Sequence, residues 1–104
     1  FLNIAGGFRV EDPALDLAVC LSILSSFEEI ALASTTCFCA EIGLGGELRA
    51  VNRLENRIAE ASKLGFERIC ISKYGLKGVD VDKFSIQVMG FSRLDEVVST
   101  LLST

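Results

Sequence analysis

The stretch Ala14–Leu24, ALDLAVCLSIL, is the feature that most limits how this chain can fold. Leu17, Leu21 and Leu24 share one face at helical spacing, with Ala14 and Ala18 beside them, while Val19, Cys20 and Ile23 fill most of the remainder. The run is too short for the roughly 18 apolar residues that signal a membrane span, and it carries Asp16 and Ser22. It reads as a helix from Pro13 to about Ser26, buried on nearly all sides. Asp12 before Pro13 reads as its N-cap, with proline at the first helical position. A helix start of this kind presents unpaired N–H groups that stabilise developing negative charge. The small side chain placed there is Ala14, which has no reactive atom.

Around that helix the pattern alternates between strand and helix. Phe1–Ala5 reads as a strand ended by Gly6-Gly7, and Phe27–Ala33 as a connector. Thr36–Ile42 and Glu47–Val51 read as two strands joined by the glycine-rich turn Gly43-Leu44-Gly45-Gly46, a hairpin connection and not a dinucleotide fingerprint. Arg53–Leu64 is an amphipathic helix with Leu54, Ile58 and Ala61 inward, stopped by Gly65. Arg68–Ser72 reads as a strand, Lys73–Lys83 as a polar loop and Ser85–Met89 as a strand. Leu94–Leu102 reads as a last helix with Leu94, Val97, Val98 and Leu101 inward. The order β-α-β-β-α-β-β-α implies a mixed α/β or α+β domain in a single pair of layers.

With 104 residues, half of them hydrophobic and 23% charged, the chain suits one globular domain. It starts at Phe1 inside an apolar run, which leads to the expectation of a piece from a longer protein. The net charge of −4 argues against a whole-surface affinity for nucleic acid but leaves room for a local basic patch. Four cysteines and no histidine exclude Ser-His-Asp and Cys-His arrangements within the chain. Cys37 and Cys39, two apart in a strand, point to one face and read as buried reduced thiols and not a zinc site, which favours a reducing compartment.

The segments FLNIAGGFRVEDPALDLAVCLSIL, AEIGLGGELRAVNRLENRIAEASKLGF and ISK, in that order, resemble the C-terminal Lon-like domain of the RadA (Sms) family of bacterial DNA-repair proteins. The likeness is clearest from Phe1 to about Lys73 and looser beyond. It implies an α+β, Lon-proteolytic-domain-like fold, an α/β-like mixed sheet with helices packed on it, similar to the second domain of a small-subunit ribosomal protein. It also implies that residues 1–104 form one such domain without its N-terminal strand and without upstream zinc and ATPase domains.

Lon proteases, similar in turn, place a catalytic serine in a D-G-P-S-A-G segment and a catalytic lysine in a G-G-L-K-E-K segment. Here the corresponding positions are Ala14 and Glu55, so the resemblance implies a protease corner with neither dyad member and hence no peptidase activity. Without it, Asp12-Pro13-Ala14 is a capped helix start and nothing more.

The family likeness further implies DNA repair by homologous recombination, a ring-shaped homo-oligomer (a hexamer), DNA contact, a possible recombinase-filament partner and a bacterial cytoplasmic location without membrane. No cofactor is implied for this segment. ATP, Mg and Zn are implied for the full-length protein, since no G-x-x-x-x-G-K-[ST] loop occurs here. Candidate phosphate contacts are Arg49, Arg53 and Arg57 at the hairpin-to-helix junction, and Lys73 with Lys77 after a strand end. The same residues also fit a solvated face. Two other readings stand beside DNA contact. One is a purely structural oligomerisation module. The other is a serine–lysine peptidase using Ser22, Ser25 or Ser26 with Lys63 or Lys73, although those serines lie away from the N–H groups at the helix start.

Overall fold

Cys37, Cys39, Ile69 and Ile71 alternate with Phe38 and Cys70, so the strands that carry them are apolar on both faces and need cover on two sides. A computed structural model describes residues 13–28 and 35–101 and supplies both covers. A 3₁₀ turn, Pro13–Leu15, leads into α1 (Asp16–Glu28). Then come β1 (Thr36–Cys39), β2 (Glu41–Ile42), β3 (Leu48–Arg49), α2 (Leu54–Lys63), β4 (Arg68–Ser72), β5 (Gln87–Phe91) and α3 (Leu94–Leu101). The parallel sheet has the order β1-β4-β5, and β2 and β3 form a separate antiparallel pair. Register is set by Cys37 opposite Ile69 and Phe38 opposite Cys70 on one side of β4, and by Cys70 opposite Met89 on the other.

On one face Leu54, Ile58 and Ala61 of α2 pack with Ala14, Cys37, Cys39, Ile69, Ile71 and Ile86. On the other, Leu17, Ala18 and Leu21 of α1 and Val97 of α3 pack with Phe38, Cys70 and Leu48. Helices therefore cover both faces, not the one face of the expected layer pair. The α+β class stands. All four cysteines are free thiols. Burial pushes those of Cys37 and Cys70 up to about 12.

Several boundaries differ from the sequence expectation for local reasons. The strand expected over Thr36–Ile42 breaks at Ala40, whose N–H donates to Ala14 O and whose carbonyl accepts from Leu17 N, both at 3.1 Å. Its backbone is thus bonded to the start of the first helix and not to a sheet neighbour. The arm expected over Glu47–Val51 shrinks to Leu48–Arg49, because β2 offers only Glu41 and Ile42 as partners. The strand expected over Ser85–Met89 is displaced to Gln87–Phe91, in register with Arg68–Ser72. The first helix runs on to Glu28. It is also less enclosed than its composition suggested: Val19 is 41% and Ile23 64% exposed, and Leu24 is half-buried.

Arg68–Ser72 falls where expected, and α2 keeps its three inward residues. Its end is a Schellman motif: Gly65, at φ +92°, donates to Ser62 O, and Phe66 N donates to Ala61 O. In α3, Val97 is fully buried, whereas Leu94, Val98 and Leu101 are half-buried against the same cluster. The strand expected at Phe1–Ala5 and the Asp12 cap lie outside the described residues.

Candidate functional site

The start of the first helix is fixed by backbone bonds. Besides the two to Ala40, the Asp16 carboxylate accepts from Ile42 N at 3.2 Å. These contacts hold Ala14, 1% exposed, against the β1–β2 junction. A hollow of about 160 Å³ opens there, lined by Pro13, Ala14, Glu41, Ala50, Val51 and Asn52. None of these six side chains is a hydroxyl or thiol nucleophile, and none is an amine that could serve as a base. Glu55, in the first turn of α2, is not part of the lining. Its carboxylate accepts from Lys83 Nζ at 2.6 Å, and both side chains are about half exposed. The hydrogen bond to Glu55 raises the Lys83 pKa. Of the serines and lysines weighed for a peptidase, Ser22 lies mid-way along α1 and Lys63 is exposed in the last turn of α2.

The candidate cations differ in how far they are already engaged. Arg49 lies 2.9 Å from Glu47 in an exposed ion pair. The Glu47 carboxyl is held below its ordinary pKa because its own N–H, then Arg49, then the Gly45 N–H bind it. Its carboxylate lies over Gly43, where a β-carbon would collide with it. Arg57 turns back on the loop before its own helix: Nε donates to Asn52 O and Nη2 to Asn52 Oδ1, each at 2.9 Å. Arg53 does not lie in the helix but caps it, at φ 55° and ψ 39°, with no side-chain capping bond. It is the single non-glycine residue at positive φ among those described. That conformation costs an L-residue roughly 1–2 kcal/mol. The expected row of three arginines is therefore one arginine paired to a carboxylate, one bound to Asn52 and one standing exposed at the helix cap.

Lys73 and Tyr74 begin a 3₁₀ turn, Lys73–Gly75, within the stretch expected as a polar loop. Ser72, buried at the end of β4, donates from Oγ to Leu48 O at 3.1 Å and accepts from Tyr74 N at 3.3 Å. This pins the turn to β3. Gly75 sits so close to α2 and β3 that a β-carbon would lie 3.1 Å from Leu54 Cδ2 and 3.4 Å from Ala50 Cβ. Ala50 follows Arg49 and Leu54 follows Arg53, so the turn bearing Lys73 lies alongside the segment bearing those arginines. Lys73 Nζ stands 5.5 Å from the centroid of the Tyr74 ring. Tyr74 is 63% exposed, and sequence reasoning missed it. The available signal was that it is the one tyrosine in the chain and adjoins a candidate lysine.

The hairpin turn is bolted at its far end to the start of α3. Leu48 N donates to Ser92 O, Leu94 N to Gly46 O, and Arg93 Nη2 to Gly45 O at 2.7 Å. Glu96 reaches back to accept from the N–H groups of Ser92 and Arg93, a capping-box arrangement. These bonds, led by the one from the Ser92 hydroxyl, hold its carboxyl below the ordinary range.

A family model described as "Subunit ChlI of Mg-chelatase" matches residues 1–74. The chain belongs to this ChlI family. Over nearly its whole length it is also similar to proteins named DNA repair protein RadA. It is 43% identical to that of Streptococcus pneumoniae over 103 residues, 99% of this chain and 24% of that protein. It is 41% identical to that of Streptococcus pyogenes over 103 residues, 99% of this chain and 22% of that protein. The Bacillus subtilis protein is 42% identical over 102 residues, 98% of this chain and 22% of that protein. The chain thus spans about a quarter of the length of the curated relatives it matches. The likeness to the RadA family read from the segments quoted above is borne out. Among the described residues no helix is long and apolar enough to cross a membrane.

Proposed function

We propose that this ChlI-family chain is a non-catalytic, Lon-like domain of a RadA-type repair ATPase, and that it contributes to ring assembly and touches DNA. The observation that carries the reading is the hollow at the helix start. The position of a Lon serine is the buried methyl of Ala14, the described residues lining the hollow include no nucleophile, and Glu55, at the lysine position, is bound to Lys83. Loss of both members of a catalytic pair removes the chemistry and leaves the scaffold.

In this reading the chain itself takes no cofactor. ATP, Mg and Zn act in zinc and ATPase domains outside this segment. The partners are further copies in a hexameric ring, DNA, and a recombinase filament, in the bacterial cytoplasm. Arg53 and Lys73 are the phosphate contacts best disposed for DNA, with Arg49 and Arg57 already bound within the domain.

Incubation of the purified chain with an unfolded casein-like substrate and with a serine-directed phosphonate probe tests the catalytic half. The expected result is neither cleavage nor labelling. Cleavage that survives repurification and is abolished by Ser22→Ala or Ser25→Ala would restore the serine–lysine peptidase.

A second reading, a structural module without DNA contact, is favoured by the net charge of −4 and by the internal engagement of Arg49 and Arg57. Salt-dependent DNA binding separates the two.

A further inference from the structure

Among the described residues, Tyr74 is the large aromatic side chain left most exposed, and it sits at a pinned position. A tyrosine left 63% exposed forgoes most of the burial that makes aromatic side chains useful to a fold. Mobility does not explain it, because its backbone N–H is bound to the buried Ser72 Oγ and its turn is closed by Leu76 N donating to Lys73 O. Gly75, packed on Ala50 and Leu54, fixes the other side of the turn. The ring is thus presented by rigid backbone, with the Lys73 ammonium 5.5 Å from its centroid. Lys77 is exposed two residues beyond the turn, and exposed Arg53 adjoins the Leu54 against which Gly75 packs.

A π face beside cations that can follow a phosphate backbone is the combination by which proteins hold single-stranded nucleic acid, one base stacking while the flanking phosphates are neutralised. In a duplex the base faces are stacked on one another and are not open to a side chain. We propose that Tyr74 is a base-stacking residue, and that this surface therefore takes single-stranded DNA in preference to duplex. The inference rests on the DNA-contact reading above and adds to it the strand type and the residue that selects it.

The composition supplies a direct reporter. The chain has one tyrosine and no tryptophan, so its intrinsic emission comes from Tyr74 alone. The 104-residue chain is titrated with a fluorescein-labelled oligo-dT strand and with a labelled mixed-sequence duplex of equal length, with affinity read by anisotropy. Unlabelled strands serve for the tyrosine emission, corrected for their absorption.

Oligo-dT is expected to quench the tyrosine along the same binding curve that anisotropy gives. Tyr74→Ala is expected to weaken oligo-dT binding about 5- to 150-fold. Tyr74→Phe, which keeps the stacking face, should stay within roughly 3-fold of the parent, and duplex affinity should not change in either variant. Oligo-dT binding with unquenched tyrosine and unchanged affinity in Tyr74→Ala would overturn the stacking role and leave DNA contact standing. Binding to neither DNA would overturn both. A tyrosine signal that follows protein concentration without DNA, together with a smaller assembly for Tyr74→Ala in sedimentation, would make Tyr74 an interface residue and overturn the proposal.

Discussion

Leu21 and Ile23 stand two residues apart in one helix, and the sequence pattern gives both to the core. The structure separates them: Leu21 is 0% exposed, packed with Phe38, Cys70 and Val97, and Ile23 is 64% exposed. Truncating Leu21 to alanine removes three carbons from a closed site. At about 0.8 kcal/mol per buried carbon the transfer loss is about 2.4 kcal/mol, and the cavity left behind brings the total into the range of about 2–5 kcal/mol. Ile23→Ala gives up little more than a third of such burial, so the loss should stay below about 1 kcal/mol. For a domain of this size each kcal/mol moves the thermal midpoint by about 4–8 °C. Leu21→Ala should therefore melt roughly 10–30 °C lower, and Ile23→Ala within several degrees of the parent. Urea denaturation followed by far-UV circular dichroism checks the free energies. Equal losses at the two positions would refute the assignment of the inner and outer faces of α1.

Three further outcomes follow from the same contacts. Cys37, Cys39 and Cys70 are buried while Cys20 is half-buried; at pH 8 an aromatic disulfide reagent should modify Cys20 first and the other three only as the chain unfolds. Rapid reaction of all four would contradict the core. Glu47 and Glu96 bind protons less readily in the folded chain than their ordinary pKa of 4.5. The unfolded chain therefore takes up more protons as the pH falls through 4.5, so stability present above that pH should decline below it. Thermal midpoints from pH 6 to pH 3 should show this fall, and it should be shallower in Glu96→Gln. Arg53→Gly should relieve the left-handed backbone and raise stability by up to about 1 kcal/mol, whereas Arg53→Val should lower it. A clear loss on Arg53→Gly would mean that the arginine side chain, not backbone strain, dominates at the helix cap.

Where periodicity alone determines the outcome, the sequence was readable. Leu54, Ile58 and Ala61 repeat at helical spacing and Gly65 ends the run, and α2 follows that pattern. Arg68–Ser72 is apolar on both faces because it is the central strand, and its bounds were legible for that reason. The break at Ala40 was not legible, because it depends on bonds to Ala14 and Leu17 that are distant in sequence. Val19 and Ile23 look like core by composition, but which face of a wholly apolar helix meets the sheet is decided by packing. At the candidate site the sequence could name Ala14, Glu55 and the arginines. It could not show that Arg49 is paired with Glu47, that Arg57 turns back to Asn52, or that Tyr74 is held outward beside Lys73.

The central proposal is that this ChlI-family domain keeps a protease-like frame and uses its basic edge on DNA. Its most direct test is the salt dependence of oligonucleotide affinity for the parent chain and for the double substitution Arg53→Ala, Lys73→Ala. If both cations meet phosphates, affinity should fall for unrelated sequences alike. The slope of log affinity against log salt should also become shallower by about 0.7–0.9 for each contact removed, roughly 1.4–1.8 in all. A parent chain with no measurable salt-dependent binding, or a double variant with the parent's slope, would contradict DNA contact at this edge and favour the reading of a structural module without DNA contact.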